Sequence, residues 1–410
     1  MTTRIADRKT TEELLRQLVS IPSPYFHEDE VMDFVLGWLQ ERGLPARLHT
    51  FYEGRETHFH GKDVAGCLDS GRPGPVIYLN GHLDTVGLCE GWTRPPYEGV
   101  VEDGRMYGVG ALDMKGGVAA ILLALAAFAR DFAGNFCGKI IYHFVSDEEG
   151  PYGLGTVFAI ADDLDGIRGG ADLAVIAEPS SGFTGANHPC LCLGARGGYN
   201  YTITLHGRAA HAADPQRGIN AVTEAARVMT ELEKIEPVCD EKLGPAALCV
   251  IDLKTKPAAC SVPEYAQIEV FAHCVRGETP ETMRAQAEEA IRRAGIQSRW
   301  EISFRQPPVD EGGFDGGFLP YVTDENDPYI QSLEDSVAAV CGRRANRAYF
   351  QSIGDFNSVG GLLGIPTVLM GPAGENFHSA DEYVELADVC DVADILYDFL
   401  MKTNGGRTSC

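Results

Sequence analysis

His82 and Asp84 stand two apart in Gly81-His82-Leu83-Asp84-Thr85-Val86, directly after the apolar run Val76-Ile77-Tyr78-Leu79. Alternate side chains of an extended chain point the same way, so this carboxylate is within reach of the imidazole. A carboxylate that orients a histidine is a common support for a metal ligand. Four further segments carry acids or a histidine in similar settings. Asp113 precedes an apolar helical run; Glu148 and Glu149 follow residues 140–145; Glu178 follows 171–177; His378 follows 367–370 and a glycine-rich loop. Two histidines with several carboxylates and no cysteine suit Zn²⁺, with Mn²⁺ or Co²⁺ as alternatives. Two neighbouring cations need a shared carboxylate, and Asp113 is the natural bridge. Hydrolysis also needs one carboxylate left off the metals to take a proton from water. The tandem Glu148-Glu149 can supply one of each kind, because adjacent side chains at a strand end diverge.

These residues are useful only if strands deliver them to one place. In α/β sheets, ligand sites form beyond the carboxyl ends of the strands, where His82, Glu148, Glu149, Glu178 and His378 are all expected. Residues 10–40 read as an amphipathic helix, a turn and a second helix, and 118–129 as an apolar helix. From about 191 to 304 the order of elements changes. Strand 198–206, helix 218–232, strands 247–253 and 267–274, helix 279–294 and strand 298–304 follow the βαββαβ order of a ferredoxin-like unit. The Gly- and Pro-rich stretch 307–323 reads as the return linker. The expected division is a catalytic domain from 1–186 and 307–410, with a second domain, 187–306, inserted in it.

His82/Asp84, Asp113, Glu148/Glu149, Glu178 and His378 together resemble the full motif set of the M20 family of dinuclear metallopeptidases. That group includes succinyl-diaminopimelate desuccinylase, acetylornithine deacetylase, glutamate carboxypeptidase and the aminoacylases. The likeness runs from Leu14–Ser23 to Asp381–Val384. It implies an α/β fold: a phosphorylase/hydrolase-like three-layer αβα catalytic domain with the ferredoxin-like insert as lid and dimerisation domain. It further implies that His82 and Glu178 hold one metal, that Glu149 and His378 hold the other, and that Asp113 bridges them. Glu148 would then be the general base, Asp84 the residue orienting His82, and Asp113-Met114 a non-proline cis peptide. Residues 207–215 resemble the family's lid-histidine motif, which implies that His211 stabilises the oxyanion in the active site of a second copy of the chain.

Two positions depart from the family pattern. Where many members carry Asp-x-Arg after a Val-Pro turn, this chain has Phe271 and His273, so carboxylate recognition falls to His273, to the nearby Arg276 or to another arginine. Val109 stands where an arginine is common. Gly371 and Asn376 are expected to shape the substrate pocket ahead of His378. Asp355 is either a pocket residue or a simple turn aspartate. His58 and His60 read as a solvated face, His143 as packed core, and His188 and His206 as structural, having no acidic partner in the sequence.

Composition is consistent with a two-domain enzyme. A chain of 410 residues with 44% hydrophobic content exceeds one ordinary core. A net charge of −25 argues against nucleic acid or an anionic membrane as partner. The apolar stretch 118–129 falls short of the roughly 20 residues of a bilayer span, and no charged, apolar leader opens the chain, so a cytoplasmic location is expected. Twelve scattered cysteines without paired spacing read as free buried thiols. The expected reaction is hydrolysis of the amide bond of a small N-acyl amino acid or related N-acyl compound. A dipeptidase or carboxypeptidase of the same family is the alternative. A dinuclear phosphoesterase and a non-catalytic binding protein are the remoter readings.

Overall fold

The computed structural model describes residues 4–256 and 259–405. Its large sheet runs in the order Arg47–Tyr52, His60–Asp69, Lys139–Val145, Val76–His82, Leu173–Ile176, Thr367–Leu369, Cys190–Ala195, Tyr321–Val322, with Asn346–Phe350 also paired to Cys190–Ala195. The four strands from Lys139–Val145 to Thr367–Leu369 are mutually parallel, so their carboxyl ends open on one edge. These strands are apolar on both faces because each face meets its own core. Ile77, Leu79, Ile140, Tyr142, Leu173 and Val175 pack with helices Arg8–Val19, Asp29–Glu41, Gly116–Phe132 and Leu386–Thr403. The intervening Tyr78, Ile141, Ala174 and Ile176 pack with Ile160, Ile167, Phe356 and Val359 on the other face. The two-residue period of a strand thus produces three layers, helix on sheet on helix.

Helix Gly116–Phe132 lies in the large core. With the wide turn Ala111–Lys115 before it, the stretch Ala111–Phe132 is long and apolar enough to cross a membrane, which corrects the reading of 118–129 as too short; nearly all of it is buried inside the protein. At Gly117 a Cβ would strike the Ala177 carbonyl. Glycine therefore lets the start of this helix close onto the chain just ahead of Glu178.

A separate four-stranded antiparallel sheet has the order Ala247–Thr255, Tyr265–Cys274, Gly197–His206, Arg299–Phe304. Helices Ala221–Leu232 and Pro280–Ala294 cover one face and share a core with Ile203, Leu205, Ile268 and Val270. The βαββαβ order is the one read from the sequence. Strand Cys190–Ala195, however, belongs to the large sheet, so the chain enters the small sheet at Gly197 rather than at 187. The return segment rejoins the large sheet at Tyr321–Val322. A third sheet, Gly374–Glu375, Tyr383–Glu385, Arg105–Tyr107, Val100–Glu102, was not expected, because its strands are too short to show a period.

The cysteines also differ in part from the reading. Cys190, Cys192, Cys274 and Cys390 are free and buried, but Cys89, Cys239, Cys249 and Cys260 are exposed, and Cys137 is disulfide-bonded. Pairing depends on how closely two backbones approach in the fold, which sequence spacing does not reveal.

Candidate metal centre

His82 is the last residue of strand Val76–His82 and is buried. Its Nε2 lies 3.2 Å from Asp113 Oδ1 and 3.5 Å from Glu178 Oε1. The other oxygen of Asp113 is 3.4 Å from His378 Nε2, which is 2.8 Å from Glu149 Oε1. Donor atoms of His82, Asp113 and Glu178 lie within 4.8 Å of one another, as do those of Asp113, Glu149 and His378. The two trios share only Asp113, one oxygen toward each histidine. Glu148 is close enough to form a third grouping with His82 and Glu149. Its Oε2 is 4.0 Å from His82 Nε2, while its Oε1 accepts the Asp355 N–H at 3.1 Å. The structure therefore gathers every residue of the expected cluster at one sheet edge.

Backbone donors hold the cluster in place. Asp84 accepts the N–H groups of Glu148 at 3.1 Å and Glu149 at 2.8 Å, which fixes the tandem glutamates. His82 Nδ1 is nearer the Asp84 backbone carbonyl, 3.0 Å, than the Asp84 carboxylate, 3.5 Å. Orientation of His82 thus falls first to the main chain of Asp84, and its side chain positions the glutamates. Glu382, not singled out from the sequence, accepts the N–H groups of Gly110, Leu112 and Asp113 at 2.9, 2.8 and 3.0 Å. It clamps the turn that carries Asp113. Lys115 donates to the carbonyls of Leu18 and Ile21 and ties the same turn to the first helix. The Asp113-Met114 peptide is cis. Asp355 is buried and accepts the Thr156 hydroxyl at 2.6 Å, so it is a fixed neighbour of Glu148 rather than a simple turn residue.

The electrostatics suit cations. Burial pushes the Glu148 carboxyl up to about 7, Glu149 up to about 8, and Glu178 well above the carboxylate range. Burial would also raise Asp113, but hydrogen bonds from His378 and His82 hold it below its ordinary value. Among the described residues, no lysine or arginine pairs with these carboxylates; their only ion-pair partners are His82 and His378. Glu178 Oε2 is buried without a hydrogen-bond partner. Buried charge of one sign requires compensation, and mixed imidazole and carboxylate donors match divalent cations of the zinc type. The residues present fit two such ions.

The substrate-side candidates are less well assembled. His211 is exposed, and its Nδ1 accepts only the Ala213 N–H; no hydrogen bond or ion pair joins it to the cluster. Arg276 is engaged by Asp240 through two bonds of 2.7 and 3.1 Å, which corrects its reading as the carboxylate clamp. His273 contacts Ser352 Oγ at 3.4 Å. Asn376 Nδ2 bonds the Asp381 carbonyl, bracing the loop that bears His378. At Gly371 a Cβ would strike the backbone of Ala177 and Glu178, so its role is to let two chain segments meet.

Arg196 was missed. It is 6% exposed, and among the described residues it forms no ion pair and its one side-chain hydrogen bond runs from Nε to the Leu243 carbonyl. After burial of that ring, the charge of Arg196 lowers the pKa of His273, so the guanidinium lies within electrostatic reach of the position where an arginine was expected. Sequence reading could have found it only as a lone arginine in Gly194-Ala195-Arg196-Gly197, a weak signal. Two of the remaining histidines have ordinary partners. His143 bonds Tyr78 and Asp165 inside the core, and His58 lies against Tyr52. Folding gives both His206 and His188 acidic neighbours that the sequence did not show, Glu301 and Asp388 respectively.

A family model described as Peptidase family M20/M25/M40 matches residues 78–402. A succinyl-diaminopimelate desuccinylase of Methylorubrum extorquens is 30% identical over 389 residues, covering 92% of this chain and 94% of its own. Among solved structures, a tripeptidase from Staphylococcus aureus aligns with a TM-score of 0.74 at 20% identity, covering 97% of this chain and 99% of the other. A dinuclear metal-binding M20 peptidase from Bacillus subtilis aligns with a TM-score of 0.65 at 16% identity, covering 97% and 99%. These two structures share the fold. The chain belongs to peptidase family M20/M25/M40 and is a metal-dependent hydrolase.

Proposed function

We propose that this protein hydrolyses the amide bond of small N-acyl amino acids. His82 and Glu178 would hold one Zn²⁺, Glu149 and His378 a second, and Asp113 would bridge them. The observation that carries this reading is the pair of ligand trios joined through the two oxygens of Asp113. When bound, divalent cations of this kind polarise a carbonyl and lower the pKa of water. Glu148 would do the proton transfer. The Asp355 N–H fixes its Oε1, which leaves Oε2 to take a proton from the attacking water and hand it to the leaving nitrogen.

Two observations support an N-acyl amino acid as substrate. One is the 30% identity to a desuccinylase across nearly the whole chain. The other is the buried guanidinium of Arg196, without an ion pair among the described residues and within electrostatic reach of His273, where a substrate carboxylate would complete a charged pair. His211 is exposed and unattached to its own cluster, and Ile251, on the edge strand of the small sheet, is 53% exposed. Both support a homodimer formed through the small-sheet domain, with His211 stabilising the oxyanion of the neighbouring copy.

A hydrolysis screen of the zinc-loaded protein against N-acyl amino acids, their carboxamides and dipeptides tests the reading. N-acyl amino acids should be cleaved best. A lost charge-assisted hydrogen bond is worth about 1.5–3 kcal/mol, so Arg196→Ala should raise KM by roughly ten- to a hundredfold. Preferential cleavage of dipeptides would turn the assignment to a peptidase. Equal rates on carboxamides would remove Arg196 from it.

A further inference from the structure

Three chain segments away from the metal centre meet around the ring of His188. His188 precedes strand Cys190–Ala195, Cys341 ends helix Pro328–Cys341, and Asp388 and Asp391 sit one turn apart on helix Leu386–Thr403. One donor atom each from His188, Cys341 and Asp391 lies within 4.8 Å of the other two. Cys341 Sγ is 3.8 Å from Asp391 Oδ2, and His188 Nε2 is 3.8 Å from Asp388 Oδ1. The His188 side chain is only 6% exposed, yet among the described residues neither ring nitrogen closes a hydrogen bond. The Gly371 carbonyl is near enough to favour the charged ring but does not bond it. A buried imidazole with both nitrogens unpaired is costly unless something else satisfies it.

We infer that His188, Cys341 and Asp391 form a further metal site, separate from the dinuclear centre, that takes a single Zn²⁺. Bonds of about 2.0–2.3 Å to N, O and S put the ligand atoms of a tetrahedral ion roughly 3.3–3.8 Å apart, which matches the Sγ to Oδ2 separation. Burial holds the His188 ring down to about 4, so at neutral pH it carries the lone pair that a ligand needs. Burial and Asp391 push the Cys341 thiol up to about 12, so the thiolate forms only as a cation binds and releases a proton. Arg4 already pairs with Asp391 Oδ1 at 2.6 Å, and Arg343 donates to the His188 carbonyl at 2.7 Å. Arg4 Nη1 also pairs with buried Asp394 at 3.2 Å, so two guanidiniums face three aspartates and the surroundings stay favourable to a cation. The soft sulfur and nitrogen donors favour zinc-type ions over Mg²⁺ or Ca²⁺. Three protein ligands leave the fourth position to water. An ion here would staple two helices to the chain entering Cys190–Ala195, behind the Gly371 segment that packs on Glu178.

Co²⁺ titration of the full chain under reducing conditions tests the site. The dinuclear centre offers only imidazole and carboxylate donors, so a thiolate-to-cobalt charge-transfer band in the near ultraviolet reports ligation by sulfur. The unmodified chain should show the band. Cys341→Ser and His188→Gln should each lose the band and one ion per chain, while keeping the ions of the dinuclear centre. Exposed Cys89, Cys239, Cys249 and Cys260 are alternative sulfur donors, which is why the band must vanish in both variants. Its absence from the unmodified chain at saturating Co²⁺, or its persistence in either variant, overturns the proposal; the first measurement stands even if a variant does not fold.

Discussion

The large and small sheets both carry side chains suited to this chemistry, and they hold them in different ways. At the edge of the large sheet, carboxylates are locked by backbone donors: Asp84 by two, Glu382 by three, Glu148 by one. In the small-sheet domain, Arg276 is spent on Asp240, and His211 keeps an exposed ring with one local bond. A catalytic group must be positioned to a fraction of an ångström, and fixed backbone N–H groups do this with little rotamer freedom to lose. The large sheet is thus a finished site within one chain. The small sheet presents groups that no contact within the described chain ties to that site.

The sharpest way to break this contrast is to remove what the large sheet is built to hold. Chelation should abolish hydrolysis, and Zn²⁺, Co²⁺ or Mn²⁺ should restore it; activity that survives complete chelation would refute the metal centre. Glu148→Gln should lower kcat by about 10²–10⁴ with both ions retained by elemental analysis. Retained activity would move the proton transfer elsewhere. On the small sheet, His211→Ala should cut turnover by about 10²–10³ and leave metal content and dimer mass unchanged. Mixing it with Glu148→Gln chains would then restore partial activity, because one site in the mixed dimer keeps both groups. No recovery on mixing would place His211 outside the neighbouring site. The smallest effect is expected at Glu382→Gln, which keeps the shape but weakens three charge-assisted bonds. Metal affinity should fall by about 10–100-fold, with kcat nearly normal once the ions are saturated. A collapse of kcat at saturation would make Glu382 more than a brace for Asp113.

How far the site could be read in advance differed from residue to residue. His82, Glu148, Glu149 and Glu178 were legible because each sits just past an apolar strand, and parallel strands end on the same edge. His378 was legible as a motif, though its support was not: it lies in a left-handed conformation, φ 58°, between two-residue and three-residue strands that carry no period. Glu382 reaches Asp113 across 269 positions of chain; it lies in the segment that closes the family resemblance, but nothing in the sequence gives it this partner. Asp84 was correctly placed beside His82, but the stronger use of its carboxylate lies 64 and 65 residues away. Arg276 failed for the converse reason, since its partner Asp240 lies in the short hairpin of Cys239–Asp240 with Gly244–Pro245, which the sequence reading did not resolve.

Residue type and strand period, taken alone, determined which side chains could bind metal, where the apolar layers would fall, and that a βαββαβ unit interrupts the larger one. Those properties follow from local geometry, in which neighbours in sequence are neighbours in space. Tertiary structure decided which backbone amides hold which carboxylate, which arginine is left unpaired, and that His188 comes to lie beside Cys341 and Asp391. Such contacts join segments far apart along the chain. Their partners are chosen by how layers pack, and spacing in the sequence carries no record of that choice.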